Sequence, residues 1–130
     1  MKLPLGRIVF AALSVEALSI VGLVAVVALF GPHENVAASE FARRTGQWFG
    51  PVSGTLLTIA GGLWVARAVP RSRVQAGLAL GLTVAGIDAG LLLLAATPFQ
   101  WLFVASNLGK VLAGAAGGVL AGRESTAARP

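Results

Sequence analysis

The first long apolar stretch is Ile8–Phe30, which reads IVFAALSVEALSIVGLVAVVALF and contains a single ionisable residue, Glu16. A transmembrane helix needs about 20 mostly apolar residues to cross a hydrocarbon core of about 30 Å. Three further stretches meet this requirement, and each has a proline near its start or just beyond its end. We therefore predict four transmembrane helices, at about 8–30, 51–69, 74–96 and 99–121.

The composition of the chain agrees with a protein surrounded by lipid. Of its 130 residues, 56% are hydrophobic and 12% are charged, whereas about 25% of the residues in a soluble domain are charged. This shortage of charge excludes a disordered chain and an ordinary water-soluble globule. The runs are too long for strands and lack their alternation, and continuous helices satisfy the backbone in lipid. The predicted fold class is all-α: residues 1–130 form one integral membrane domain, a bundle of four transmembrane helices.

The absence of Cys and the presence of one His restrict the possible chemistry. Without Cys there are no disulfides, thiolate metal sites or iron–sulfur clusters. One His excludes a bis-imidazole haem within one chain. The net charge is +5, but the basic residues lie at the ends of the apolar runs and not on one face with aromatic residues, which disfavours nucleic-acid binding. We predict no cofactor, no metal and no nucleic-acid partner.

The positions of the basic residues indicate an orientation. If both termini face the cytoplasm, Arg43 and Arg44 lie outside and seven Lys and Arg residues lie inside. Those seven are Lys2, Arg7, Arg67, Arg71, Arg73, Arg123 and Arg129. Because cytoplasmic loops carry an excess of Lys and Arg, we predict a multi-pass protein of the cell inner (plasma) membrane with both termini cytoplasmic. Residues 31–50 are predicted to be an outer loop, in which Asn35–Gly46 could form a short surface helix. Residues 124–130 are predicted to be a disordered tail.

Three ionisable side chains interrupt the apolar runs: Glu16, Asp88 and Lys110. Each costs about 2.5–3.5 kcal/mol at the bilayer centre, so such residues pair inside a bundle or line a polar cavity. At about 1.5 Å per residue, Asp88 and Asn107 lie at similar depths, and Lys110 lies between Asp88 and Glu16. Since the third and fourth helices are joined by a short connection, we expect an Asp88–Lys110 pair bridged by Asn107. The candidate substrate-binding or proton-linked residues are therefore Glu16, Asp88, Asn107 and Lys110, and no catalytic residue is assigned.

Small residues lie on the same helical faces as these polar residues. Such rows allow two backbones to approach closely, so we predict that they are packing seams. The rows are Gly54, Thr58 and Gly62 on the second helix, Gly77 and Gly81 on the third, and Ala113, Gly114, Gly117 and Ala121 on the fourth. The opposite face of the fourth helix carries Leu108, Leu112, Ala115 and Val119 and is predicted to face lipid.

Two acids and one base leave a net negative charge if all three are ionised. We expect Asp88, paired with Lys110, to be ionised, and Glu16 to be more often protonated near neutral pH. Glu16 could then carry a proton or exchange it for a cation. Two structural alternatives remain open. The Asp88–Lys110 contact could simply lock two helices together, or Glu16 could pair with a charge on a partner subunit.

Residues 50–122 contain five short motifs: Gly50-Pro51, Gly62–Arg67, Ile87-Asp88, Gly109-Lys110 and Gly117-Gly118. In these motifs the segment resembles a group of uncharacterised four-helix bacterial membrane proteins. The resemblance implies the four-helix fold and the Asp–Lys pair, and no particular chemistry. A membrane-embedded Glu in the first of four helices is also similar to the small multidrug resistance transporters, which use that residue for exchange of drugs and protons. This second similarity covers Glu16 and the helix count.

Three classes of function are consistent with these features. The first is a small carrier or binding protein for an ion or small amphiphile that uses Glu16, Asp88 and Lys110. The second is an accessory or scaffolding subunit of a larger membrane complex. The third is an intramembrane enzyme that acts on a lipid-like substrate with Glu16 or Asp88 as general acid. The expected partners are the lipid bilayer and either further copies of the chain or other membrane subunits.

Overall fold

The computed structural model describes the backbone of residues 3–127 and the side chains of residues 3–124. Every regular element in this part of the chain is an α-helix. In chain order the helices are α1 (Leu5–Phe30), α2 (Asn35–Ala66), α3 (Arg73–Leu94) and α4 (Trp101–Ala127). All four are long and apolar enough to cross a membrane. The prediction of an all-α chain with four such helices is therefore confirmed.

The start of α2 differs most from the prediction. The helix begins at Asn35 and continues through Pro51, so most of the segment 31–50, predicted to be a loop, is helical. A proline inside a helix removes one hydrogen bond, but membrane helices tolerate it because neighbouring groups satisfy the freed backbone. The extension also has a packing partner on α1. The ring of Phe49 lies so close to Gly22 that a Cβ there would be 2.9 Å from Phe49 Cζ.

α2 is long enough for its charged N-terminal part to lie outside a hydrocarbon core that its apolar C-terminal part would cross. Its 32 residues extend for about 48 Å, whereas a hydrocarbon core is about 30 Å thick. Near its N-terminus, Glu40 forms exposed ion pairs with Arg43 at 2.8 Å and with Arg44 at 2.9 Å. Such exposed pairs add little stability. The charged residues of these pairs all lie in the first part of α2, and the remaining, more apolar part is long enough for a hydrocarbon core.

The C-terminal end of α3 is closed by a left-handed residue. Ala96 has φ 48°, and the Thr97 N–H donates to the Leu92 carbonyl at 3.1 Å. This arrangement is a common way of ending a helix, and α3 therefore ends at Leu94, slightly before the predicted Ala96.

The last helix is longer than predicted. α4 runs to Ala127, so the part of the predicted tail from Glu124 to Ala127 is helical, and residues 128–130 lie outside the described residues. An ion pair between Glu124 Oε2 and Arg67 Nη2, at 2.6 Å, links this end of α4 to the end of α2. The contact gives the extra helical turn a partner that sequence periodicity does not reveal.

The bundle has α1 and α4 on opposite sides of the α2/α3 pair. α1 contacts α2 and α3, and α4 also contacts both. In the described part of the chain, no Cα atom of α1 lies within 8 Å of a Cα atom of α4. A side chain from α4 must therefore pass between α2 and α3 to meet α1.

Glycines bring α4 close to α2 and α3. A Cβ on Gly114 would lie 2.8 Å from the Gly81 nitrogen on α3, and a Cβ on Gly62 of α2 would lie 2.7 Å from the Gly114 oxygen. The predicted small-residue seams are therefore packing seams in the structure. On the opposite face of α4, Leu108, Leu112 and Val119 are exposed, as predicted, and Ala115 is half-buried.

Buried side chains concentrate in one half of the bundle, around the N-terminal part of α1. The apolar core consists of Ile8, Ala11, Ala12, Val15, Val65, Ala76, Leu80 and Val84. No residue of α1 beyond Glu16 is buried. The bundle is closely packed on one side of Glu16 and open on the other.

Candidate functional site

Lys110 of α4 is the centre of an ion cluster that joins three helices. Its Nζ lies 3.1 Å from Asp88 Oδ2 on α3 and 3.4 Å from Glu16 Oε1 on α1. Lys110 and Glu16 are 4% and 8% exposed, and Asp88 is half-buried. The structure thus brings together all three ionisable residues found in the apolar runs. Glu16, which was expected in the same buried cluster but not in the Asp88–Lys110 pair itself, is a second carboxylate on the same ammonium group.

Gly54 of α2 provides the space that the Lys110 side chain occupies. A Cβ at position 54 would lie 2.8 Å from Lys110 Cε and 3.5 Å from Nζ. The next turn of α2 carries Thr58, which is fully buried and donates its hydroxyl to the Gly54 carbonyl at 2.6 Å. The hydroxyl proton of Thr58 is therefore used within α2. Gly54 is the gap through which Lys110 reaches Glu16.

The cluster carries more negative than positive charge when it is fully ionised. Among the described residues, Lys110 is the one cation within 4.0 Å of either Glu16 or Asp88. A buried charge without a counter-charge is costly, so the second carboxylate favours either a proton or a cation from outside. The residues of the described chain contain no group of three His, Cys, Asp or Glu side chains suited to a metal ion. A protonated amine is chemically suited to this position because its N–H groups can donate to both carboxylates.

A cavity of about 220 Å³ opens onto the cluster. Glu16, Asp88 and Lys110 form its polar end. Its walls extend along α1 to Leu23 and along α4 to Leu102, a distance of about 10–12 Å at the helical rise. Most of the other lining residues are apolar or small: Ile20, Gly46, Gly50, Pro51, Leu91, Leu92 and Phe103. The cluster therefore lies where the closely packed half of the bundle meets the open half.

Ser19 adds an unsatisfied polar group to the same cavity. It lies three residues after Glu16 on α1 and lines the cavity. Its hydroxyl oxygen is buried and has no hydrogen-bond partner in the described part of the protein. Buried polar groups are nearly always hydrogen-bonded in native proteins, to protein or to ordered water. A ligand or a water molecule in the cavity would provide the missing partner.

Asn107 does not form the bridge expected from the sequence. Its side-chain nitrogen donates to the Phe103 carbonyl of its own helix at 2.9 Å. Its Oδ1 is buried without a partner among the described residues. The residue lines a groove on the outer surface of α3 and α4 and does not line the cavity. Three residues along a helix correspond to about 60° of rotation away from Lys110, and the short amide cannot cover that separation as the lysine stem does.

Sequence reasoning missed the part of the site supplied by α2 outside the apolar run. Gly46 and Gln47 line the cavity, but the prediction placed them in a loop. Gly54 was identified only as a packing residue, because the order of the helices around the bundle is not contained in the pattern of one helix.

Comparison of the chain with protein families, with curated proteins and with solved structures finds no match.

Proposed function

We propose that this protein spans a membrane as a four-helix bundle and binds a small cationic amphiphile at Glu16, Asp88 and Lys110, as a binding protein or carrier. The observation that carries the proposal is one buried ammonium shared by two carboxylates at the end of a cavity. The excess carboxylate suits an ammonium head group, and the apolar walls suit a hydrocarbon chain. Small-molecule sites combine such mostly apolar walls with a few placed polar groups.

The proposed orientation directs the cavity away from the cytoplasm. Membrane insertion is supported by the four long apolar helices, and cytoplasmic termini are supported by the positions of the Lys and Arg residues. In this orientation α1 runs outwards, and the cavity lies beside its second half. The cavity would then lie in the outer half of the inner (plasma) membrane.

Proton exchange at Glu16 keeps the charge of the site constant. In the empty site Glu16 holds a proton, and the cluster of Asp88 and Lys110 is neutral. When the ammonium head binds, the Glu16 carboxyl group releases that proton and its carboxylate pairs with the new cation. One positive charge enters and one leaves. Binding should therefore release up to one proton per ligand.

The proposal is tested by titrating the protein in lipid nanodiscs with hexylamine. Repeating the calorimetric titration in buffers of different ionisation enthalpy gives the number of protons released. We expect the protein to bind the amine with proton release, and Glu16→Gln to bind at least tenfold more weakly without it. Glu40→Gln alters an acid outside the cavity and should change neither quantity. Empty nanodiscs correct for partitioning of the amine into lipid.

Unchanged affinity and unchanged proton release in Glu16→Gln would contradict the proposal. Hexanol supplies a second test, because it has the same apolar chain without the positive charge. We expect hexanol to bind much more weakly than hexylamine. Equal binding of the two compounds would show that the cavity selects the apolar chain and not the cation.

A further inference from the structure

We infer that the apolar chain of the bound amine lies in a groove between α3 and α4, and that the ligand reaches the ion cluster sideways from the lipid through this groove. The inference rests on the proposed function and adds the ligand's class and its route. The class is a long-chain amine whose tail remains among lipid acyl chains while its head group occupies the cavity.

The groove has the size and position of a site for a hydrocarbon chain. Its volume is about 530 Å³, and it runs from Ala85 to Leu93 on α3 and from Phe103 to Val111 on α4. At the helical rise each of these segments is about 12 Å long. Leu93 is 82% exposed on its rim. In a membrane this surface faces acyl chains.

The groove and the cavity share two wall residues. Leu92 of α3 and Phe103 of α4 line both spaces, and both side chains are half-buried. Changes of side-chain rotamer are fast compared with motions of whole helices. A rotation of Phe103 can therefore join the two spaces while the close glycine contacts between α3 and α4 are kept.

The two volumes favour one ligand that occupies both spaces. The cavity alone, at about 220 Å³, is smaller than the roughly 300–1,000 Å³ of most small-molecule sites. It accommodates a charged head and a short chain, and a longer chain must extend elsewhere. The groove adjoins the cavity at Leu92 and Phe103 and provides that space. The tail of the amine whose head pairs with Glu16 occupies the groove.

Asn107 places a polar side chain on this route, in a wall that is mostly apolar. It lines the groove four residues from Phe103, and its Oδ1 lacks a hydrogen-bond partner among the described residues. An ammonium group that passes from the groove to the cavity can donate a hydrogen bond to this oxygen. Such a contact reduces the cost of moving the head group away from the lipid surface.

The inference is tested by filling the groove and comparing a long amine with a short one in nanodiscs. Ala89 is exposed and lines the groove but not the cavity. We expect Ala89→Phe to weaken dodecylamine binding at least tenfold and to leave hexylamine binding within twofold. Ala60→Phe fills a different surface groove, between α1 and α2, and should leave both affinities unchanged. Leu108→Trp, on the exposed rim, is a second groove variant should Ala89→Phe fold poorly.

The two amines separate failure of the inference from failure of the proposed function. If groove variants bind both amines like the unmodified protein, the groove does not hold the tail, and the proposed amine site still stands. If the unmodified protein binds neither amine, both the inference and the proposed function are wrong. If the groove variants weaken both amines equally, the groove is not specific for the chain, and the inference is also overturned.

Discussion

The Lys110 side chain occupies the space beside Gly54 that a larger residue would fill, since a Cβ at position 54 would lie 2.8 Å from Lys110 Cε. This relationship decides whether the ion cluster can form. α4 lies on the far side of the α2/α3 pair from α1, so the lysine stem has to cross the bundle at Gly54 to reach Glu16. Gly54 has no side chain, yet its small size controls where the three charged groups lie.

Gly54→Ala should weaken amine binding without unfolding the bundle. The new methyl group meets the far end of a flexible side chain, so Lys110 can move, but it then leaves its position between Glu16 and Asp88. We expect a loss of about tenfold in hexylamine affinity, equivalent to about 1.4 kcal/mol. Gly86→Ala is the matched control, because nothing lies within 4 Å of a Cβ there. Equal affinities in the two variants would show that the gap at Gly54 does not position the lysine.

Gly114→Ala should destabilise the whole bundle. Its Cβ would lie 2.8 Å from the Gly81 nitrogen and 2.9 Å from the Gly81 Cα, and backbone atoms can move only if the helices separate. Overpacking of this kind costs typically about 1–3 kcal/mol. The free energy of unfolding in mixed detergent micelles measures the effect. Gly90→Ala, which has open space around its Cβ, should be neutral or stabilising, and a loss as large as that of Gly114→Ala would contradict the assigned seam.

Lys110→Met should cost more stability than neutralising the entire cluster. The single substitution leaves the Asp88 carboxylate without its cation, and removal of one partner from a buried ion pair costs about 3–5 kcal/mol. Combining it with Glu16→Gln and Asp88→Asn leaves no ionisable group in the cluster, so this triple variant should recover most of the loss. Unfolding in mixed micelles compares the two variants. A triple variant less stable than Lys110→Met would show that the two acids do not depend on the lysine.

The proposed topology is testable by cysteine labelling, because the chain contains no Cys. Ser39→Cys places a thiol on the charged part of α2, and Ala68→Cys places one in the connection between α2 and α3; both positions are exposed. A membrane-impermeant maleimide should label Ser39→Cys in intact cells and Ala68→Cys only after permeabilisation. The reverse pattern would place the termini outside, and labelling of both positions in intact cells would contradict a single orientation with four membrane crossings.

Helix number and packing faces were predictable because both follow from local patterns. Apolar runs of sufficient length predicted the four helices, and small residues spaced four apart identified faces such as that of Gly62, which is buried against α4. The α2 extension was not predictable from the same rules. Pro51 is typical of a helix start, whereas α2 continues through it. The extension packs against α1 through Phe49, and this contact between two helices is not visible in the local sequence pattern.

The three ionisable members of the ion cluster were predictable from the sequence, but their geometry was predictable only in part. A short connection makes α3 and α4 neighbours, so Asp88 and Lys110 were expected to meet. Glu16 lies on α1, and the one-dimensional depth argument placed it about 5 Å deeper than Lys110. Its contact depends on the arrangement of all four helices, on the reach of the lysine stem and on the gap at Gly54. None of these is encoded in the periodicity of a single helix.

Infrared difference spectroscopy of the protein in lipid, with and without hexylamine, tests the central claim most directly. The claim is that a protonated carboxyl group beside Lys110 gives its proton up to solution when an ammonium binds. We predict loss of one protonated-carboxyl band and gain of carboxylate bands when the amine is added, and no such change in Glu16→Gln. A spectrum without a carboxyl change, or the same change in Glu16→Gln, would contradict the account.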